Sequence, residues 1–305
     1  MKYEFFFFKN KMFKELICNL LLDAHPICTN EWSHPLSSRL IYQYYLNPQT
    51  IFTEYSDGKD IRIDAINYTS SMTAVLISAA KCNNLIIVKW CIKNAAGIHA
   101  LDDIALISAT DNGHLKIIKF LLSKGANIHA VDDRALISAA ENGHLEVVRF
   151  LLESGANIHA LDDEALQIAA EIGYLNVVKL LLENGANVHA LDDCAFITAA
   201  AYGHLDVAKL LLENGANIHA ENDLALKIAS ENGYLEIIKF LLENGADVHA
   251  QNNWALRLSS ENGHLDVVKL LLVAGADVHA QNDEALRYAA ANGHSEVAEL
   301  LSTYI

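Results

Sequence analysis

The sequence predicts an all-α solenoid of stacked helix pairs with shortened connectors, preceded by a small mixed α/β region. Three observations carry that prediction. A unit of thirty residues recurs in phase along most of the chain, two glycine columns keep the same step, and the residues between them fall at helical spacing. His-Ala returns at His99, His129, His159, His189, His219, His249 and His279. Gly113, Gly143, Gly173, Gly203, Gly233, Gly263 and Gly293 form one column, and Gly125, Gly155, Gly185, Gly215, Gly245 and Gly275 form the other.

One unit, starting at Asp162, shows why each element should form. Asp163 is a suitable N-cap, and Ala165, Leu166, Ile168, Ala169 and Ala170 supply helix formers with an apolar stripe. Gly173 should end that helix, because a left-handed backbone costs glycine nothing. Leu175, Val177, Val178, Leu180, Leu181 and Leu182 then make a second, more apolar helix, stopped by Gly185. Helices of about nine residues are too short to persist alone, so each pair must bury its apolar faces against neighbouring units.

The organisation follows from the phase. Residues 1–71 form a non-repeat region that holds all three prolines and thirteen of the twenty-four aromatic residues. A diverged unit spans 72–101, six full units span 102–281, and a truncated one spans 282–305. In the last unit Ser295, Ala298 and Glu299 replace the leucine, valine or isoleucine, and lysine of their columns, as a terminal repeat facing water requires. Within 1–71, Phe13 to Leu22 and Leu36 to Leu46 read as helices. Ile51 to Tyr55 and Ile61 to Ile66 read as strands flanking the turn Ser56-Asp57-Gly58-Lys59.

Composition narrows the function. The 305 residues carry 22 Lys+Arg against 38 Asp+Glu, a net charge of −16, which repels nucleic-acid phosphate and anionic membrane surfaces. No apolar run is long enough to span a bilayer, and the short Phe5 to Phe8 run is bracketed by Glu4 and Lys9, unlike a secretory signal. The five scattered cysteines suggest neither a disulfide framework nor a zinc knuckle. A soluble protein of the cytoplasm is the expectation.

The unit A-L-x-x-A-A-x-x-G-H-L-x-V-V-K-L-L-L-E-N-G-A-N-I-H-A, as in Ala135 to Ala160 with small changes, resembles the ankyrin repeat. The resemblance covers Met72 to Ile305. The ankyrin unit has 33 residues and opens its first helix with T-P-L-H. Here it has 30 and reads Glu164-Ala165-Leu166-Gln167. Three residues are missing where the family builds a projecting β-hairpin finger, so a tight turn is expected there. Shortened units of this kind look like those of ankyrin arrays encoded by giant DNA viruses.

Chemical readings of the repeated polar residues give way to structural ones. Histidines a repeat apart, roughly 8 to 10 Å, cannot share a zinc ion whose ligands lie about 2 Å away. The His-Ala column is read instead as tying down the turn between units, and His114, His144, His204, His264 and His294 as packing residues. Asp102-Asp103, Asp132-Asp133, Asp162-Asp163 and Asp192-Asp193 lack a calcium-loop pattern, and their second members are read as N-caps. Thirteen of fifteen glycines sit in the two columns, and no nucleotide-binding, metalloprotease or nucleophile motif is present. No catalytic, metal or cofactor-binding residue is assigned, and the chain is expected to be no enzyme.

What varies between units is more informative. The residue after His-Ala runs Leu101, Val131, Leu161, Leu191, Glu221, Gln251 and Gln281. The first-helix entry runs Ile104, Arg134, Glu164, Cys194, Leu224, Trp254 and Glu284, and Ile172 and Tyr202 appear where other units place Asn. The family resemblance implies that such positions line a concave, protein-binding face. Leu101, Val131, Arg134, Leu161, Glu164, Ile172, Leu191, Cys194, Tyr202, Leu224 and Trp254 are therefore the candidate contacts, with Tyr202, Trp254 and Arg134 as anchors. Lys227, Arg257 and Arg287 form a cationic stripe suited to an acidic partner or to solvent. The function implied is a non-catalytic scaffold for a protein partner. The alternative is an adaptor whose residues 1–71 recruit a second protein, such as a ubiquitin-ligase component.

Overall fold

The structure is a computed structural model that describes residues 65–94 and 96–305. The helices expected at Phe13 to Leu22 and Leu36 to Leu46, the strand at Ile51 to Tyr55 and the turn at Ser56 to Lys59 lie outside the described residues. The second expected strand is corrected at its end. Ala65 and Ile66 are helical, the first residues of α1 (Ala65–Lys81), which runs without a break past Met72.

Sixteen helices and no strand occur among the described residues. The chain divides into two compact units, Met1–Ser108 and Ala109–Ile305. In the first, α1 packs on α2 (Leu85–Lys93), with Leu76, Ala80, Val88 and Cys91 buried. Then come α3 (Ile104–Asp111), α4 (Leu115–Ser123), α5 (Ala130–Glu141), α6 (Leu145–Glu153), α7 (Glu164–Ile172) and α8 (Leu175–Glu183). The series continues with α9 (Ala190–Ala201), α10 (Leu205–Glu213), α11 (Leu224–Asn232) and α12 (Leu235–Glu243). It ends with α13 (Ala250–Glu261), α14 (Leu265–Val273), α15 (Ala280–Ala291) and α16 (Ser295–Ser302). First helices stack on first helices (α5 on α7, α7 on α9, α9 on α11), and second helices on second helices.

The core is built from the columns that the spacing predicts. Leu136, Leu166, Phe196, Leu226 and Leu256 are fully buried between first helices, and Val148, Val178, Ala208, Ile238 and Val268 beneath the second helices. Alanines at 139, 169 and 199 have no exposed surface, since a larger side chain would hold adjacent first helices apart. At the C-terminal end only Ala285 and Ala289 of α15 are buried, and Ser295 and Glu299 of α16 face solvent, as a capping unit requires.

The glycine columns differ in what holds them. Gly155 sits at φ +94 with open space around a would-be Cβ, so only the left-handed backbone selects glycine there. Gly143 also has positive φ (+68), but the ring of Tyr174 from the next unit lies over it, and a Cβ would come within 2.9 Å of that ring.

Candidate functional site

The connectors between helix pairs are left-handed turns. After His129 and Ala130, residues Val131, Asp132 and Asp133 have φ/ψ of 51/54, 53/52 and 58/32, and the right-handed helix starts only at Arg134. Every connector from Leu101 to Asp283 repeats this run of three positive φ values. The tight turn expected in place of a finger is therefore a single left-handed turn. Its first two side chains point to solvent and its third points inward.

That third residue is the main correction to the reading of the Asp pairs. Asp163 does occupy the N-cap position of α7, but at φ 62 its side chain makes no capping hydrogen bond. It is 3% exposed. One carboxylate receives two donors: His159 Nδ1 donates at 3.2 Å from its own unit, and the Asn187 backbone N–H donates to Oδ1 at 2.8 Å from the next. Asp133, Asp193 and Asp223 do the same for Asn157, Asn217 and Asp247. Asn253 replaces the carboxylate without changing the geometry, because its amide oxygen accepts from Asp277 N–H at 2.7 Å and from His249 Nδ1 at 3.2 Å. Asn157 Oδ1 accepts from the backbone N–H of His159, which closes a ladder running from unit to unit. The His-Ala histidines thus act through the inter-unit turn, as expected, and Nδ1 carries the proton that each donates.

The second histidine column also joins units. His144 Nε2 lies 3.0 Å from the Asp111 carbonyl, His204 Nε2 2.8 Å from that of Glu171, and His264 Nε2 2.9 Å from that of Glu231. Among the described residues, no three His, Cys, Asp or Glu side chains converge to hold a metal ion. Among the same residues, no helix is long and apolar enough to cross a membrane. Cys91 and Cys194 are free thiols. Burial pushes the Cys91 thiol up to about 12.

The candidate contact residues fall into two groups. Leu101, Val131, Leu161, Leu191, Ile172 and Tyr202 are exposed. Arg134, Glu164, Cys194, Leu224 and Trp254 are half-buried. Arg134 Nη2 donates to Glu141 Oε2 at 3.0 Å, two turns along the same helix. Tyr202 is 54% exposed, and the negative charge of the Glu171 carboxylate, from the preceding unit, raises its ionisation above the usual range. Burial first, and then the same carboxylate, raises the Cys194 thiol as well. The charge of Glu171 therefore acts on both Tyr202 and Cys194. It escaped the sequence reading because a carboxylate at this first-helix end is common to most units, so nothing in its column marks it out.

The expected cationic stripe is absorbed within the array. Lys227 Nζ lies 3.3 Å from the centroid of the Trp254 ring and covers one face of that expected anchor. Arg257 pairs with Glu284, which also accepts from Tyr288 Oη at 2.7 Å, and Arg287 Nη2 donates to the Gln281 carbonyl at 3.2 Å.

Comparison with known proteins decides the family. Models of ankyrin repeats in three copies match residues 58–132, 76–162, 131–192 and 166–252, and a many-copy model matches 255–301. The chain belongs to the ankyrin-repeat family. No curated protein sequence matches it. A solved structure, the human ASB11 ankyrin repeat domain, is 29% identical and superposes with a TM-score of 0.57, covering 65% of this chain and 96% of that one. Ankyrin-repeat domains are typically protein-interaction modules, on a fold that serves as a non-enzymatic scaffold. The ankyrin architecture here keeps the paired helices and glycine stops and has left-handed turns as its connectors.

Proposed function

We propose that this ankyrin array is a non-catalytic scaffold that binds a protein partner through the face formed by its connectors and first-helix ends, the concave face by likeness to the family. One observation carries the reading. On a backbone that repeats almost without change, the side chains at these positions differ in chemistry from unit to unit, while those that join the units exchange only for residues that keep the same contact, as Asn253 does for Asp and Tyr174 for His. Variation free of any stacking role is what selective recognition requires. Tyr202 is the first anchor: it is large, aromatic and exposed. Arg134, pre-positioned by Glu141, is the second. Trp254, half-buried with Lys227 over one ring face, is the third.

The working place proposed for it is the cytoplasm, of a virus-infected cell if the shortened units reflect a viral origin, and the acidic array takes neither nucleic acid nor a membrane as its ligand. Tyr202→Ala and Arg134→Ala in the full chain test the site. Both variants should unfold at the same denaturant concentration as the parent and lose most of their capture of whichever protein the parent captures. Undiminished capture by both would refute the site.

A further inference from the structure

Val131, Leu161 and Leu191 present a contradiction. They are 52%, 53% and 58% exposed, so burial does not select apolar side chains there. Their φ values of 51, 49 and 48 place them in the left-handed region, which disfavours bulky residues and Val above all. Polar residues fit the same backbone, because Glu221, Gln251 and Gln281 occupy it in later units at φ 49, 50 and 54. Neither stability nor geometry accounts for three large apolar residues in a row.

Each is followed by an exposed carboxylate, Asp132, Asp162 or Asp192, and none of these has a hydrogen bond or ion pair among the described residues. The two features also disappear together. Where the first position becomes Glu or Gln, the second becomes Asn222, Asn252 or Asn282. An apolar side chain beside a free carboxylate is thus repeated at three successive connectors and confined to them within the unit Ala109–Ile305. Successive connectors are close: Gln251 Nε2 reaches back to donate to the Asn222 carbonyl at 3.1 Å. Stacked helices place equivalent points about 8 to 10 Å apart.

We infer that these connectors are the docking surface for a basic amphipathic helix of the partner, an inference that rests on the scaffold reading above and names its ligand. A helix rises about 1.5 Å per residue, so positions seven apart recur about every 10.5 Å on nearly one face and match one apolar contact per connector. A β-strand returns to one face every 6.6 or 13 Å and does not match. Lysines or arginines three and four residues from each apolar position flank it on the helix surface, where they meet Asp132, Asp162 and Asp192. The acidic charge of the chain steers such a segment toward the array.

The chain's own later units supply substitutions that keep the fold: Leu161→Gln and Asp162→Asn copy Gln251 and Asn252. Three labelled peptides of about twenty residues test the inference by fluorescence anisotropy on the full chain. One has leucine every seventh residue flanked by lysine, one has the lysines replaced by glutamate, and one has leucine every third residue among prolines. The lysine helix should bind best, weaken steeply with added salt, and lose about tenfold in affinity for Leu161→Gln, as half-burial of one leucine implies. Asp162→Asn should flatten the salt dependence. No binding of the lysine helix, equal binding of the glutamate peptide, preference for the proline peptide, or indifference to Leu161→Gln would each overturn it. Protein capture that fails with Tyr202→Ala but survives Leu161→Gln would leave the scaffold reading standing and remove this one.

Discussion

Replacing Asp163 by alanine should weaken the whole array, because one carboxylate joins two units. Three contributions are lost. The Asn187 N–H donates to a charged oxygen at 2.8 Å in a part-buried setting, a bond worth about 1.5–3 kcal/mol. The His159 bond comes from a side chain 58% exposed, so solvent screening leaves it below about 1 kcal/mol. Alanine at φ 62 adds about 1–2 kcal/mol that aspartate, which tolerates this region, does not incur in full. The sum is about 3–5 kcal/mol. Asp163→Asn should cost about 1 kcal/mol or less, since Asn253 shows an amide oxygen performing both tasks. Urea unfolding followed by far-UV circular dichroism measures the difference. Because repeat arrays are held by nearest-neighbour coupling, the alanine variant should also broaden or split the transition near units 162–191 and 192–221. Asp163→Ser separates this account from helix capping. Serine caps well, so a capping role predicts rescue. The ladder predicts none, because the shorter hydroxyl does not reach both donors. Full rescue by serine, or alanine matching asparagine within about 0.5 kcal/mol, would refute the reasoning.

Gly143→Ala should cost well over the roughly 1 kcal/mol expected for Gly155→Ala, because its Cβ meets the Tyr174 ring as well as a left-handed backbone; paired urea titrations check the order. Cys91, fully buried with its thiol near 12, should resist alkylation from pH 7 to 9 while Cys194 labels at a measurable rate, and mass spectrometry of timed quenches distinguishes them. Glu171→Gln should lower the raised ionisation of Tyr202 toward the ordinary phenol range, since it removes the nearby negative charge, as read from the Tyr202 ring carbon shift against pH. Because the Glu171 carbonyl that accepts from His204 is main chain, that substitution should leave the stacking intact and the unfolding midpoint nearly unchanged.

Some of this protein was decided by the sequence alone, because the responsible forces act within a few residues. A thirty-residue period, glycines at two fixed offsets and leucines at helical spacing leave a helix pair as the local solution, and short helices must stack. The histidines at 114, 144, 204, 264 and 294 were recognisable as packing residues because their column accepts tyrosine at 174 and 234. The inward turn of Asp163, the closeness of the Glu171 charge to Tyr202 and the Lys227 cover on Trp254 were decided only by the tertiary structure. Each joins neighbouring units, and a periodic sequence states what one unit contains without stating which atoms of the next come within reach. The left-handed connectors belong to the same class. Leucine and valine there run against the local backbone preference, so nothing in the sequence pointed to a left-handed turn at these positions.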